Sequence, residues 1–295
     1  MRRPIIVLFL SLFLMLPAAW GADRGALFKV SGGGHTMYLF GTMHAGLPEF
    51  YPLEARISGA VAHAATLALE IDPVQAAAEM PVAMQRYGMF APGSVGYKAM
   101  TPESKARLDR ALAKMNLDPA AVAPLKPWLL ATALAMHEFT VLGYRVDLGV
   151  DAKLAEQARG AGVKVMSLES TEAQLALFDS LPEAEQWRFL EESVAMTESG
   201  RAQAEARELV DAWRTADKAV LDKIAQRLEN DNTVSGKFVQ KVMLEGRNGP
   251  LADKLLALLA REDNSVAAIG VMHLLGKHSV PAMLRARGVT VERVY

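Results

Sequence analysis

The spacing of apolar and polar positions divides the chain into short apolar runs set between long amphipathic stretches. Leu27 to Val30 and His35 to Phe40 are apolar runs joined by Ser31-Gly32-Gly33-Gly34, a turn sequence that predicts a hairpin. After a loop at Pro48 to Pro52, Leu53 to Ala64 has the spacing of a short helix. Ala65 to Ile71 reads as a buried strand interrupted by Glu70. Helical periodicity then runs from Val74 to Gly160. Within it, Thr101-Pro102 opens a helix with a capping residue and a first-turn proline. Trp128 to Leu142, apolar almost all round, predicts a central buried helix, and Asp151 to Arg159 a further one closed by Gly160. Val163 to Glu169 predicts the next strand.

Thr171 with Gln174, and Ser180 with Glu183, have the spacing of capping boxes. Helices follow to about Leu228, and Asn230 to Ser235 is a polar break. Phe238 to Gly246 and Pro250 to Arg261 predict two helices separated by the polar knot Arg247-Asn248-Gly249. Val266 to Ile269, Val280 to Arg287 and Val289 to Val294 predict strand, helix and strand. Strands interleaved with helices give an α/β fold class, and the opening hairpin makes the central sheet mixed. With no linker in view, residues 22–295 read as a single α/β domain whose two long helical stretches are insertions covering the sheet.

Composition narrows this reading. The 295 residues are 51% hydrophobic and 22% charged, with a formal net charge of -1, an ordinary globular balance. That balance suggests no nucleic-acid partner and no anionic-membrane surface. Residues 1–21 carry Arg2 and Arg3, an uncharged apolar run from Ile5 to Leu16, and then small residues, the plan of a secretory signal peptide. Cleavage after Gly21 is the first expectation and after Ala22 the second, giving an exported protein, periplasmic or secreted, without a stable membrane span. There is no cysteine, so neither a lipidated thiol nor a disulfide supports the exported chain.

The candidate chemistry lies at strand ends. G-x-M-H occurs twice, as Gly41 to His44 and as Gly270 to His273, each time where an apolar run stops. Glu70 and Glu169 close two other predicted strands. In open α/β sheets ligands bind outside the carboxyl ends of the strands, so these four residues are expected to converge. Two imidazoles and a carboxylate are a common ligand set for a catalytic divalent ion. Glu70, set in an apolar run, is expected to be the third metal ligand beside His44 and His273, because a desolvated anion needs a cation. Glu169, in a more polar setting, is expected to be the general base or its support, with Arg247 orienting it or holding an anionic group. His35, His63, His137 and His278 lack that context and read as structural or solvent-facing.

The motifs Y-L-F-G-T-M-H (38 to 44), A-L-E-I-D (68 to 72), L-G-V-D-A-K-L-A (148 to 155), L-E-S-T-E-A-Q (168 to 174), G-R-N (246 to 248) and A-I-G-V-M-H-L-L-G (268 to 276) resemble, in order, those of the TraB/GumN family. That family is related to the Tiki metalloproteases and, distantly, to erythromycin esterase. The resemblance implies an EreA/ChaN-like fold and an exported, divalent-metal-dependent hydrolase acting on a peptide or small-molecule substrate. Zinc, manganese, cobalt and iron all suit the donors. His44 and His273 match the paired G-x-x-H histidines, Glu70 the first acid, and Glu169 and Arg247 further family positions. Two other readings stay open: a binding protein of the same fold that sequesters a peptide or metal-containing ligand, and metal-free hydrolysis with a histidine as base.

Overall fold

The computed structural model describes residues 22–295, and the expected signal peptide at 1–21 lies outside them. Its strands are β1 Leu27–Gly32, β2 His35–Thr42, β3 Thr66–Leu69, β4 Lys164–Ser167, β5 Ser265–Gly270 and β6 Thr290–Arg293. They form one sheet in the order β4-β3-β5-β2-β1-β6. β1 is antiparallel to both β2 and β6, whereas β2, β5, β3 and β4 run parallel. β3 is buried throughout and β5 along nearly its whole length, as a parallel core covered on both faces requires. This is the expected mixed α/β architecture, with the hairpin at one side supplying the antiparallel pairs.

The helices follow the two expected stretches. α1 Ala55–Ala62 joins β2 to β3. Between β3 and β4 come α2 Pro73–Ala83, α3 Pro102–Lys114, α4 Pro119–Val122, α5 Pro127–Val141 and α6 Val150–Gly160. Between β4 and β5 come α7 Thr171–Asp179, α8 Glu183–Ser199, α9 Arg201–Arg214, α10 Lys218–Glu229, α11 Val234–Phe238 and α12 Gly246–Arg261. α13 Val280–Ala286 lies between β5 and β6. The main core wraps the sheet, and a second, smaller core of Leu108, Leu112, Leu130, Leu134, Leu190 and Val194 joins α3, α5 and α8.

Three local expectations are corrected. α5 is not buried all round: Trp128, Leu130, Ala131 and Leu134 face inward while Met136 and Val141 are exposed, so it covers a core rather than running through one. Its buried face also holds Glu138. Among the described residues no helix is long and apolar enough to cross a membrane.

Neither capping box forms. Ser170, not Thr171, caps α7 by accepting the Ala173 N–H at 3.2 Å, and α8 starts behind Pro182 without a side-chain cap. The one-residue shift frees Gln174 for other partners. Finally, Arg247 and Asn248 are not a turn. A π-helical segment, Val239–Glu245, runs straight into α12, and Pro250 stands inside that helix.

Trp213 on α9 ties the second helical stretch to the sheet. Its indole N–H donates to Gly41 O at 2.8 Å, and its ring centroid lies 5.1 Å from that of Phe50. Trp213→Ala therefore removes a fully buried ring and orphans a strand carbonyl. The expected loss is about 3–5 kcal/mol of stability, read from urea unfolding.

Candidate active site

Because β4, β3, β5 and β2 are parallel neighbours, their carboxyl ends share one edge of the sheet. Glu169, Glu70, His273 and His44 follow those ends in the same order. His273 stands in a 3-10 turn, Val271–Leu274, directly after β5. Arg247 reaches the same edge from the first turn of α12. All five residues singled out in the sequence are thus brought together.

Gly270 is the point on which they converge. Its N–H donates to Glu70 Oε1 at 2.6 Å. A Cβ placed on it would lie 3.1 Å from Glu70 Oε1, 3.4 Å from His44 Nε2 and 3.7 Å from His273 Cδ2. A side chain here would occupy the space in which these groups face one another.

Each imidazole is held by its Nδ1. His44 Nδ1 lies 2.7 Å from Asp151 Oδ2, and Asp151, in the first turn of α6, also accepts the Thr42 hydroxyl. His273 Nδ1 lies 2.6 Å from Asn248 Oδ1, while Asn248 Nδ2 donates to His278 O at 2.8 Å. That second bond fixes the amide with its oxygen toward His273, so Nδ1 carries the proton. Holding Nδ1–H in this way leaves Nε2 of a neutral ring as the free lone pair, directed at the site. The L-G-V-D motif exists for His44: Val150 N–H donates to Met43 O at 2.8 Å, and a Cβ on Gly149 would stand 2.6 Å from His44 O.

The two rings titrate in opposite directions. The Asp151 carboxylate, acting against burial, pushes His44 up to about 9. The ring edge itself remains open, its side chain 65% exposed at the pocket mouth. His273 is buried, and desolvation lowers it to about 4 despite the attraction of Glu70, whose Oε1 is 3.8 Å from Nε2. Burial works to raise Glu70, but His273, His44, Arg247 and the Gly270 N–H together outweigh it and hold the carboxyl well below its usual range.

Arg247 binds both glutamates. Its Nη2 donates to Glu70 Oε2 and Glu169 Oε2, its Nε lies 3.1 Å from each oxygen of Glu169, and its Nη1 donates to Met243 O at 3.1 Å. Of five guanidinium protons, one on Nη1 is left without a partner among the described residues, and the arginine lines the pocket. Glu169 is therefore a nearly buried clamp, 12% exposed, rather than the polar, water-exchanging group its flanking serines suggested. Gln174, released from the expected capping box, donates to Glu169 Oε2 at 3.0 Å.

Above these groups lies a cavity of about 270 Å³ whose floor is His44, His273, Gly270 and Arg247 and whose walls include Met136, Phe139, Leu209, Met243, Leu244 and Met272. An apolar cleft with a few convergent polar groups is the usual form of a binding site. His35, bonded to Leu259 O, and His63, bonded to Gly59 O, take no part. Sequence reasoning missed Thr42, Asp151, Gln174 and Asn248. The signal for Asp151 was its place in L-G-V-D-A-K, and for Asn248 its place beside Arg247.

Among the described residues no three His, Cys, Asp or Glu side chains stand as a formed metal cage. The donor chemistry nevertheless fits a divalent ion. His273 Nε2 lies 3.8 Å from Glu70 Oε1, and His44 Nε2 borders the same gap at Gly270. Even with His44 charged, the three carboxylates of Glu70, Glu169 and Asp151 outnumber the two cations, His44 and Arg247.

A profile of the TraB/PrgY/gumN family matches residues 26–293. YbaP of Escherichia coli, an uncharacterized protein, is 24% identical over 290 residues, spanning 94% of this chain and 100% of its own. YbaP of Shigella flexneri gives the same identity and coverage. No solved structure matches.

The raised His44 sets a sign for pH dependence. Its folded value lies above the unfolded value of 6.5, so the His44–Asp151 pair stabilises the fold fully below pH about 6.5 and loses that contribution as pH rises through about 9. Asp151→Asn is expected to lower urea stability more at pH 6 than at pH 10. Equal losses at both would show that the pair is not ionic.

Proposed function

The chain belongs to the TraB/PrgY/gumN family, and from that premise we propose that the His44–His273 pocket is the active site of an exported, divalent-metal-dependent hydrolase acting on peptide bonds. One observation carries the reading: two imidazoles, each with Nδ1 fixed by an acceptor, meet the Glu70 carboxylate around Gly270 on the floor of an apolar pocket. The peptide bond comes from the resemblance to the Tiki metalloproteases.

His44 Nε2, His273 Nε2 and Glu70 would hold the ion. When bound it supplies Lewis-acid polarisation of a carbonyl and a water of lowered pKa. The chain supplies the rest. The Nη1–H of Arg247 left without a protein partner is a donor for charge developing on a substrate oxygen. Glu169 orients that guanidinium, and becomes a proton acceptor when substrate draws the guanidinium off it. The pocket walls of methionine, leucine and phenylalanine exclude water and take an apolar side chain.

A second reading has its own support. His44, raised, and His273, lowered, form an acid and base pair without any ion, the arrangement expected where environments push two pKa values apart. In that case His273 Nε2 activates water, His44 protonates the leaving group, and Arg247 holds the substrate.

Metal content separates the two. Untagged protein is expected to carry about one ion per chain by elemental analysis, and His44→Ala and His273→Ala each to lose it together with peptide-library cleavage. The double variant should lose little more, because ligands of one ion act as a unit. Equal metal in wild type and both single variants would leave the acid–base reading.

The carboxylates are expected to differ. Glu70→Gln should lower metal content, whereas Glu169→Gln should keep it and cut kcat by roughly two to four orders of magnitude. Loss of metal in Glu169→Gln with retention in Glu70→Gln would reverse the two roles.

A further inference from the structure

Beside the histidine pocket lies a second cavity of about 300 Å³, and the two share Phe139, Leu209 and Met272 as a common wall. Together they form a groove running from the histidines along α5 and α9. The second cavity carries charges, most of them already paired. Arg201 lies 3.1 Å from Glu205, Arg227 lies 2.8 Å from Glu208, and Asp231 accepts the N–H and hydroxyl of Thr233 at 2.8 and 2.7 Å.

Glu138 is the exception. It lines this cavity from the buried face of α5, is 4% exposed, and has no side-chain hydrogen bond or ion pair among the described residues. Burying an unpaired carboxylate is expensive. A helix whose buried face is otherwise Trp128, Leu130, Ala131 and Leu134 gains nothing in packing from an acid at this position. The cost is recovered when a ligand brings the missing cation.

We propose that the joined cavities bind a ligand with an apolar segment near the histidines and an ammonium or guanidinium group at Glu138. Resting on the hydrolase reading above, this makes the substrate a peptide in which a lysine or arginine neighbours an apolar residue. Met136, Met243 and Leu244 supply an adaptable apolar wall, so the shape of the apolar residue is loosely specified while the charge is selected. Glu138 thereby determines specificity without touching the reacting atoms.

The test is calorimetric binding of two peptides, N-acetyl-Leu-Lys-amide and N-acetyl-Leu-norleucine-amide, which differ in the charge they carry at a linear side chain. Full-length wild type is expected to bind the lysine peptide about tenfold more tightly, the scale of a hydrogen bond to a charged group. Glu138→Gln, with its melting temperature checked, should abolish the preference and leave the norleucine peptide within about twofold. His273→Ala should keep the preference, because it alters the chemistry and not the charge subsite. Equal or absent binding of the two peptides by wild type, or a preference that survives Glu138→Gln, overturns the proposal. A preference without cleavage of either peptide would sink the hydrolase reading and leave the cation subsite standing. Cleavage of both without preference would do the opposite.

Discussion

The ion pairs of Arg247 with Glu70 and Glu169 are the constraint on which the rest of the site depends. One guanidinium joins the end of β3, the loop after β4 and the first turn of α12, all with side chains no more than 12% exposed. Charges so far from water are tolerable only in company, and removal of one partner costs about 3–5 kcal/mol because it leaves the other buried alone. The second helical stretch therefore cannot drift from the sheet edge without exposing both acids to that cost. With Arg247 fixed, Asn248 follows it on the helix and fixes His273, so an ion pair and a histidine tautomer are set by adjacent residues.

The two histidines, alike in motif, have been given unlike surroundings. His44 leans on a carboxylate at an open mouth, and His273 leans on a neutral amide in a dry interior. Charge is favoured on the first chiefly by Asp151 and disfavoured on the second chiefly by burial. Asp151 thus sets the protonation of His44 and burial that of His273, and no motif search on the histidines would show it.

What the sequence made legible had a local cause. His44, Glu70, Glu169 and His273 could be found because each ends an apolar run, and parallel strands deliver such ends to one place. The hairpin and the mixed sheet were readable from turn chemistry and spacing. Asp151 and Gln174 were not, because each lies in a first helical turn where an acid or amide has an ordinary capping use, and the partner that changes its meaning is remote in sequence. Arg247 was found but misplaced: the π-helical register before α12 carries a helix through a glycine, an asparagine and a proline that read as a break. Glu138 could not be singled out, since periodicity shows that a face is buried but not that a cavity opens within it.

The sheet order also decides when the pocket can be completed. β5, one of the last strands to leave the ribosome, is inserted between β2 and β3, with Gly270 registered opposite Thr42. Until it arrives, β2 and β3 have no common neighbour, His44 has no opposing imidazole, and Glu70 lacks the Gly270 N–H that anchors it. A chain cut short before β5 thus holds an incomplete set of these groups. The meeting of these groups waits on the docking of a single late strand.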